Sequence, residues 1–339
     1  MPLQIGYQLS SEEHRPSDLV RYARLAEAHG FAFAAISDHF HPWIDAQGQS
    51  PFVWSVIGSI AQATDRLGVG TWVTCPTTRM HPAVVAHAAA TSAAMMPGRF
   101  FLGLGTGENL NEHIVGQGWP ETDIRQARLE EAIAVIRLLW QGGFQSHHGR
   151  FYTVENARLY TLPERPPPLL VAVGGPKSAE LAGGLADGLI ATDADAELVS
   201  AFDAAGGRDK PRYGSVTVCW ARDAQSARKT AHRIWPTAAM ESSLSWELPL
   251  PQHFEQAAKH VTEDAVAEVV VCGPDPEPYV TAIRKYVDAG FDHVVIHQVG
   301  PEQEGFFAFY KRELAPALGS LKPKRPAKAG SRPRTRRAA

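Results

Sequence analysis

The chain has 339 residues, a net charge of −3, and 44% apolar against 20% charged residues, the profile expected of a soluble enzyme-sized globule. It is too long for a peptide hormone or a disulfide-stapled module. Its three cysteines, Cys75, Cys219 and Cys272, are odd in number and far apart, so they offer no disulfide framework and no C-x-x-C metal pair, and a reducing, cytoplasmic setting is expected. No run of 18 apolar residues occurs, so no membrane span is expected, and the N-terminus turns polar too soon for a secretory signal.

The small net charge hides an asymmetry. Residues 319–339 carry eight Lys or Arg and no acid, which leaves −11 on the preceding 318 residues. We therefore expect one folded unit over 1–318 and a basic, Pro-rich, disordered tail over 319–339. A nucleic-acid or membrane-surface contact is the functional reading of that tail. No aromatic interrupts the basic run, however, so a solvated appendage is the simpler reading and no nucleic-acid partner is expected.

Strand-like runs alternate with helical patterns along the body. Ile5–Leu9 is short and apolar, and Pro16-Ser17-Asp18 opens a helical stretch, Leu19 to Gly30. Phe31–Asp38 reads as a buried strand, Pro51–Arg66 as an amphipathic helix, Gly68–Cys75 as a strand and Pro82–Met96 as a helix. Arg99–Gly107 is the fourth strand, and Leu129–Trp140 has apolar residues at helical spacing. Gln145–Tyr160 resembles a hairpin around Gly149. Strands Leu169–Gly175 and Asp187–Thr192 flank a helix around Ser178–Leu185, and Ser215–Ala221 and Asp292–Gln298 complete the series. These runs are apolar at consecutive positions, as a parallel sheet covered on both faces requires. Eight of them, each followed by a helix or insertion, predict an α/β fold: a single (β/α)8 TIM barrel with insertions at the C-terminal mouth. Thr230–Val270 fits the repeat least well and is expected to be a mouth insertion.

In such a barrel the chemistry gathers at the C-terminal strand ends. Strand two runs into Ser37-Asp38-His39-Phe40-His41-Pro42-Trp43, strand three into Thr74-Cys75-Pro76-Thr77, and strand four into Gly105-Thr106-Gly107-Glu108 with Asn111 beyond. Strand five ends in Gly174-Gly175-Pro176-Lys177, strand seven in Trp220, and strand eight in His297 and Gln298. His39 is a candidate base with Asp38 as an orienting carboxylate, although neighbours on an extended segment point to opposite faces. A lone histidine after a strand is more often structural or solvated. Glu108 is either a helix cap or a carboxylate brought close to a ligand by two glycines. Trp43 is core or a stacking platform, and Gly174-Gly175-Pro176 is a tight turn or a phosphate-facing helix start. No G-x-G-x-x-G, P-loop or H-E-x-x-H motif is present, so a Rossmann nicotinamide site and a metal site have no support.

SDHFHPW, the TCPTTR segment, GLGTGE-x-x-N, RLEEAIAVIRLLW and VGGPKSAELAG together resemble the luciferase-like flavin and deazaflavin oxidoreductases over about 310 residues, Ile5 to Leu318. SDHFHPW with GTGE is similar to the branch using coenzyme F420, which includes F420-dependent glucose-6-phosphate and secondary alcohol dehydrogenases. The resemblance implies a deazaflavin across the barrel mouth against a bulge at Trp72-Val73, which is a non-prolyl cis peptide in that branch. Asp38, Cys75, Thr106, Gly107, Glu108, Asn111, Gly174 and Gly175 would line the ring and its phosphate-bearing tail. His39 would be the base, Glu108 the acid at the ring nitrogen, and Glu12 a further pocket carboxylate. Trp43 would close the pocket with Trp220 on the substrate side, and a homodimer is implied.

That branch grips a sugar phosphate with lysines after strand six and in the long insertion. Here those regions read Thr192-Asp193-Ala194-Asp195 and Phe254-Glu255-Gln256-Ala257, with Lys259 close to the second and Arg284 as a surviving basic candidate that reads more readily as a helix-surface arginine. Two aspartates repel a phosphate dianion. The expectation is therefore an F420-dependent dehydrogenase or reductase acting on an uncharged alcohol or carbonyl. Glucose 6-phosphate oxidation, an FMN-dependent monooxygenase and a catalytically silent binding protein are the alternatives.

Overall fold

The computed structural model describes residues 2–240 and 242–323, so most of the expected basic tail lies outside the described residues. Eight parallel strands form a closed barrel: β1 (Gln4–Leu9), β2 (Phe33–Ile36), β3 (Gly68–Thr71), β4 (Phe100–Leu104), β7 (Leu169–Ala172), β8 (Gly188–Ala191), β9 (Arg212–Cys219) and β11 (His293–Gln298). The missing numbers belong to a hairpin, β5 (Gln145–His148) and β6 (Thr153–Ala157), and to β10 (Val271–Cys272), which adds outside the barrel against the end of β9. β11 pairs with β1, with Gln4 opposite His293, and this pairing closes the ring. Strands β2, β4 and β8 are buried at every position, which is why their sequences run apolar without alternation.

The inside of the barrel is a packed core. Phe33, Phe101, Tyr213 and His293 fill its N-terminal end, with Phe33 and Tyr213 edge to face at 5.3 Å and Tyr213 stacked on His293 at 4.1 Å. Two glycines make room for these rings. A Cβ on Gly6 would stand 2.4 Å from the Phe33 ring, and one on Gly70 would stand 2.1 Å from Phe101. Beneath the plug, the fully buried Arg212 bonds to Asp203 and to the carbonyls of Gly290 and Arg208. Its backbone N–H and the His293 ring both meet Asp292.

The outer helices carry their own start and stop signals. Pro82–Met95 begins with proline behind the His81 cap and buries Ala86, Ala89, Ala90 and Ala93, small side chains that let the helix sit close to the sheet. Pro276–Ala289, a helix the sequence reading passes over, stops at Gly290 with φ +101° and buries Tyr279, Val280, Ile283, Tyr286 and Val287. The helix expected from Leu129 begins earlier, at Thr122, because its first two turns face the mouth with polar side chains and break the apolar period. The expected insertion holds the short helices Ser242–Glu247, Pro251–Ala257 and Glu263–Val269.

Candidate active site

The mouth opens into a cavity of about 540 Å³ walled by residues from the C-terminal strand ends and the insertion. Its β1–β2 side is built by a short chain of hydrogen bonds. Ser11 donates both its N–H and its hydroxyl to Ser37, which pins the loop after β1 to the end of β2. Glu12, 2% exposed, is thereby held against β2, where one of its oxygens accepts from Ser10 Oγ at 3.0 Å and Ser37 Oγ at 2.6 Å. Its other oxygen faces His39 Nε2 at 3.5 Å. His39 Nδ1 lies 3.1 Å from the His41 carbonyl. A carbonyl only accepts, so Nδ1 carries the proton and Nε2 presents its lone pair.

The rest of SDHFHPW is held equally firmly. Asn111 Oδ1 accepts the N–H groups of Phe40 and His41, Ser50 donates to the His39 carbonyl, and Gln47 accepts from the Trp43 N–H. The Trp43 ring rests 5.0 Å from His39 and edge-on to Phe254 of the insertion at 5.2 Å. Asp38 is not the partner of His39. It takes Thr74 Oγ1 at 2.7 Å and the Arg79 guanidinium at 2.9 Å and lies behind the wall, as alternation along an extended segment demands. Glu12 from the neighbouring strand is the carboxylate beside the imidazole.

On the β3–β4 side, Trp72, Val73, Gly105, Thr106, Gly107 and Glu108 reach the cavity, and the Trp72–Val73 peptide is cis. Gly107 has φ +82°, and a Cβ there would meet the Cys75 sulfur at 2.6 Å. Cys75 is therefore behind Gly107, not on the wall. Burial raises its thiol pKa well above the ordinary value, with Glu112 adding to the effect. Glu108 Oε2 accepts from Asn111 Nδ2 at 3.1 Å, leaving Oε1 toward other partners. Asn111 itself is buried and acts through Glu108 and the β2 loop. Below it, Glu112 accepts the Arg79 N–H at 2.7 Å, and burial pushes its carboxyl up to about 6 against the opposing pull of Arg79.

The remaining walls differ in character. Val171, Ala172, Val173, Ile190 and Ala191 make an apolar floor, and Trp235 and Trp246 close it from the insertion side. At one end stand Arg125 and Lys177, whose helices are joined by a Lys177–Asp123 pair at 3.2 Å. The Arg125 guanidinium lies 4.3 Å from the Trp119 ring, and its Nε is buried without a hydrogen-bond partner among the described residues. Gly174 and Gly175 are also at this end, but their N–H groups already point to Ser178 Oγ at 3.2 Å. Trp220 and Arg284 are not on the wall. Trp220 stacks on Phe309 at 6.0 Å and crowds Gly305, while Arg284 is exposed on the outer helix Pro276–Ala289.

A largely apolar cavity with an imidazole on its wall and cations at one end has room and partners for an aromatic ring carrying an anionic tail. The luciferase-like monooxygenase family model matches residues 1–293. The chain belongs to this family. It is 36% identical over 333 residues to the F420-dependent glucose-6-phosphate dehydrogenase of Tsukamurella paurometabola, covering 94% of this chain and 99% of that one. A second such dehydrogenase, from Rhodococcus jostii, is also 36% identical, over 337 residues, with 95% and 100% covered. Among solved structures, an F420-dependent secondary alcohol dehydrogenase in complex with an F420–acetone adduct superposes with a TM-score of 0.87 at 31% identity, covering 94% of this chain and 99% of that one. A coenzyme F420-dependent tetrahydromethanopterin reductase from Methanopyrus kandleri, at 20% identity and a TM-score of 0.77, shares the fold.

Within this luciferase-like barrel the structure brings His39, Trp43, Glu12, Glu108, Trp72, Val73, Thr106, Gly107, Gly174 and Gly175 to one cavity, and leaves Asp38, Cys75, Asn111, Trp220 and Arg284 off its wall. Sequence reasoning missed Trp235 and Trp246, which lie in the unpatterned insertion, and Arg125, which reads as an ordinary helix-surface cation. It also overlooked Glu13, whose signal was the doubled acid of SSEEHRP. Glu13 accepts Trp235 Nε1 at 2.6 Å and the Gly300 N–H at 2.7 Å, with His297 Nε2 3.7 Å away.

Proposed function

We propose that this protein is an F420-dependent oxidoreductase that interconverts an uncharged alcohol and its carbonyl compound. The residues present fit the cofactor. The apolar floor and the Trp72–Val73 edge suit a deazaflavin ring, while Arg125, with its orphaned Nε, and Lys177 suit an anionic tail. When bound, coenzyme F420 supplies the hydride acceptor for alcohol oxidation, or the donor in reverse.

The chain's own residues handle the proton and the geometry. His39 Nε2 takes the hydroxyl proton as the carbinol C–H bond breaks and the C=O bond forms, and Glu12 stabilises the resulting imidazolium. Glu108 Oε1 delivers the proton that balances reduction at the ring, with Asn111 fixing the other carboxyl oxygen. Trp43, Trp235 and Trp246 exclude water and leave an aromatic chamber for a small organic substrate. The observation that carries this reading is the His39–Glu12 pair on the wall of an aromatic cavity whose only Lys and Arg among the described residues, Arg125 and Lys177, are gathered at the Gly174–Lys177 end.

The curated relatives' names favour a second reading, oxidation of glucose 6-phosphate. Against it, Thr192 on the wall is followed by Asp193 and Asp195, and neither Lys259 nor Arg284 lines the cavity. The test is anaerobic incubation with oxidised F420 and a secondary alcohol, followed by loss of the deazaflavin absorbance. Wild-type protein should bleach the cofactor, and His39→Ala should bind F420 but bleach it at least about 100-fold more slowly. Equal rates would remove His39 from the chemistry.

A further inference from the structure

The Trp43 and Trp235 walls of the chamber come from distant segments, and one buried side chain bonds to both segments. Gln47, 5% exposed and set behind the wall, accepts the Trp43 N–H through Oε1 at 2.8 Å and donates through Nε2 to the Ile234 carbonyl at 3.1 Å. A backbone N–H only donates and a carbonyl only accepts, so these partners fix which way the amide points and occupy both its ends. Ile234 ends the helix Ala224–Ile234, where the last carbonyls have no partner inside the helix. Gln47 supplies one. The next residue, Trp235, leaves helical geometry at φ −129° and ψ 47°, and it lines the cavity.

Further contacts make the mouth loops a dock for the insertion. Glu13 accepts Trp235 Nε1–H at 2.6 Å and the Gly300 N–H at 2.7 Å. The indole is thus gripped from the loop after β1, and the carbonyl before it from the loop after β2. Farther along the insertion, Phe254 meets the Trp43 ring at 5.2 Å, and Glu255 accepts the Asp45 N–H at 3.1 Å. Asp45 and Glu255 are exposed, where water competes for the bond, whereas the side chains of Gln47 and Glu13 are buried, where a lost partner is costly. A cavity of about 540 Å³ that holds a deazaflavin ring as well as a substrate has little spare room, so the gap between its tryptophan walls decides which alcohols fit.

We propose that Gln47 is a positioning residue that couples the Trp43 wall to the Trp235 wall and, through that spacing, limits the size of the alcohol the chamber admits. The proposal rests on the alcohol reading above and narrows it. Gln47 acts through the two walls, so its effect falls on the choice between substrates. The cation end at Arg125 and Lys177 is built by other elements and stays as it is.

The experiment compares butan-2-ol with the bulkier 1-phenylethanol in the F420-loaded enzyme, in wild type, Gln47→Met and Gln47→Glu. Gln47→Met keeps the side-chain length and removes both hydrogen bonds. Gln47→Glu, ionised, keeps an acceptor for Trp43 and removes the donor toward Ile234. Gln47→Met should shift the kcat/KM ratio toward the bulkier alcohol by about fivefold, the size of one buried hydrogen bond, with F420 affinity unchanged. Gln47→Glu should shift the ratio the same way while leaving kcat on butan-2-ol closer to wild type. Hydrogen exchange read by mass spectrometry should rise over 230–240 and not over β2 or β9, which a general loss of stability would raise as well. Unchanged exchange over 230–240, or an unchanged ratio in both variants, overturns the proposal. Dissociation constants of both alcohols, read by tryptophan fluorescence, give the same ratio without turnover. A binding ratio that shifts in Gln47→Met, with no bleaching of F420 by wild type, sinks the oxidoreductase reading and leaves the clamp standing.

Discussion

The two ends of the barrel both bury charge, and they use it differently. At the N-terminal end, Arg212 is spent on Asp203 and two carbonyls, with Asp292 closing over its backbone and over His293 beneath a plug of aromatic rings. At the mouth, His39, His297 and Arg125 each face a cavity, and His297 Nε2 and Arg125 Nε have no hydrogen-bond partner among the described residues, although Arg125 Nη1 reaches the Pro120 carbonyl. Arg212 Nε also lacks a hydrogen-bond partner among the described residues, so what separates the two ends is the cavity: the charges at the N-terminal end are sealed in the interior, and those at the mouth line an opening that a ligand can enter. A family of barrels can therefore vary one end without disturbing the other.

Substitutions at the two ends should separate cleanly. Arg212→Ala strands Asp203 in the interior and should cost about 3–5 kcal/mol in denaturant unfolding. If stability falls by less than 1 kcal/mol, the N-terminal cluster is not a structural clamp. His39→Ala should show the reverse pattern, with turnover down about 100-fold, worth near 3 kcal/mol in the barrier, and the unfolding midpoint nearly unmoved. A collapse of stability in that variant would erase the distinction between the ends. Gly70→Ala pushes a methyl into the Phe101 ring and should cost about 1–3 kcal/mol while F420 affinity in the folded fraction persists.

The smallest effect lies between the two regimes, at Glu112. Its carboxyl, raised to about 6 chiefly by burial, binds its proton more tightly in the folded protein than in the unfolded chain. Its contribution to stability is therefore complete below pH 4.5 and is lost as pH rises through 6, a change of about 2 kcal/mol. Glu112→Gln should flatten that part of the stability–pH profile relative to wild type while keeping the acceptor for the Arg79 N–H. Parallel profiles would show that Glu112 is ionised at no unusual cost.

The barrel was legible because parallel strands covered on both faces must be apolar without interruption, and eight such runs survive in the sequence. The polar clusters that follow them marked the mouth, and through it His39, Trp43 and Glu108. What stayed hidden depends on contacts between distant segments. Asp38 looked like the partner of His39 because it is adjacent, yet adjacency on an extended chain separates side chains, and Glu12 arrives from the next strand instead. Trp235 and Trp246 sit in an insertion with no period to read, so Trp220, at the end of a clear strand, seemed the better wall. It turns outward onto Phe309. Cys75 is displaced from the cavity by Gly107, whose lack of a side chain is what lets the sulfur pack there.

The central claim is that the chamber above the ring accepts an uncharged alcohol and repels a phosphate ester. Its most direct test is the ratio of kcat/KM for a neutral secondary alcohol to that for glucose 6-phosphate, measured with F420 as acceptor at one ionic strength. The account predicts turnover of the alcohol and a ratio well above one, with glucose 6-phosphate near background. Efficient oxidation of glucose 6-phosphate, with the alcohol at background, would contradict it.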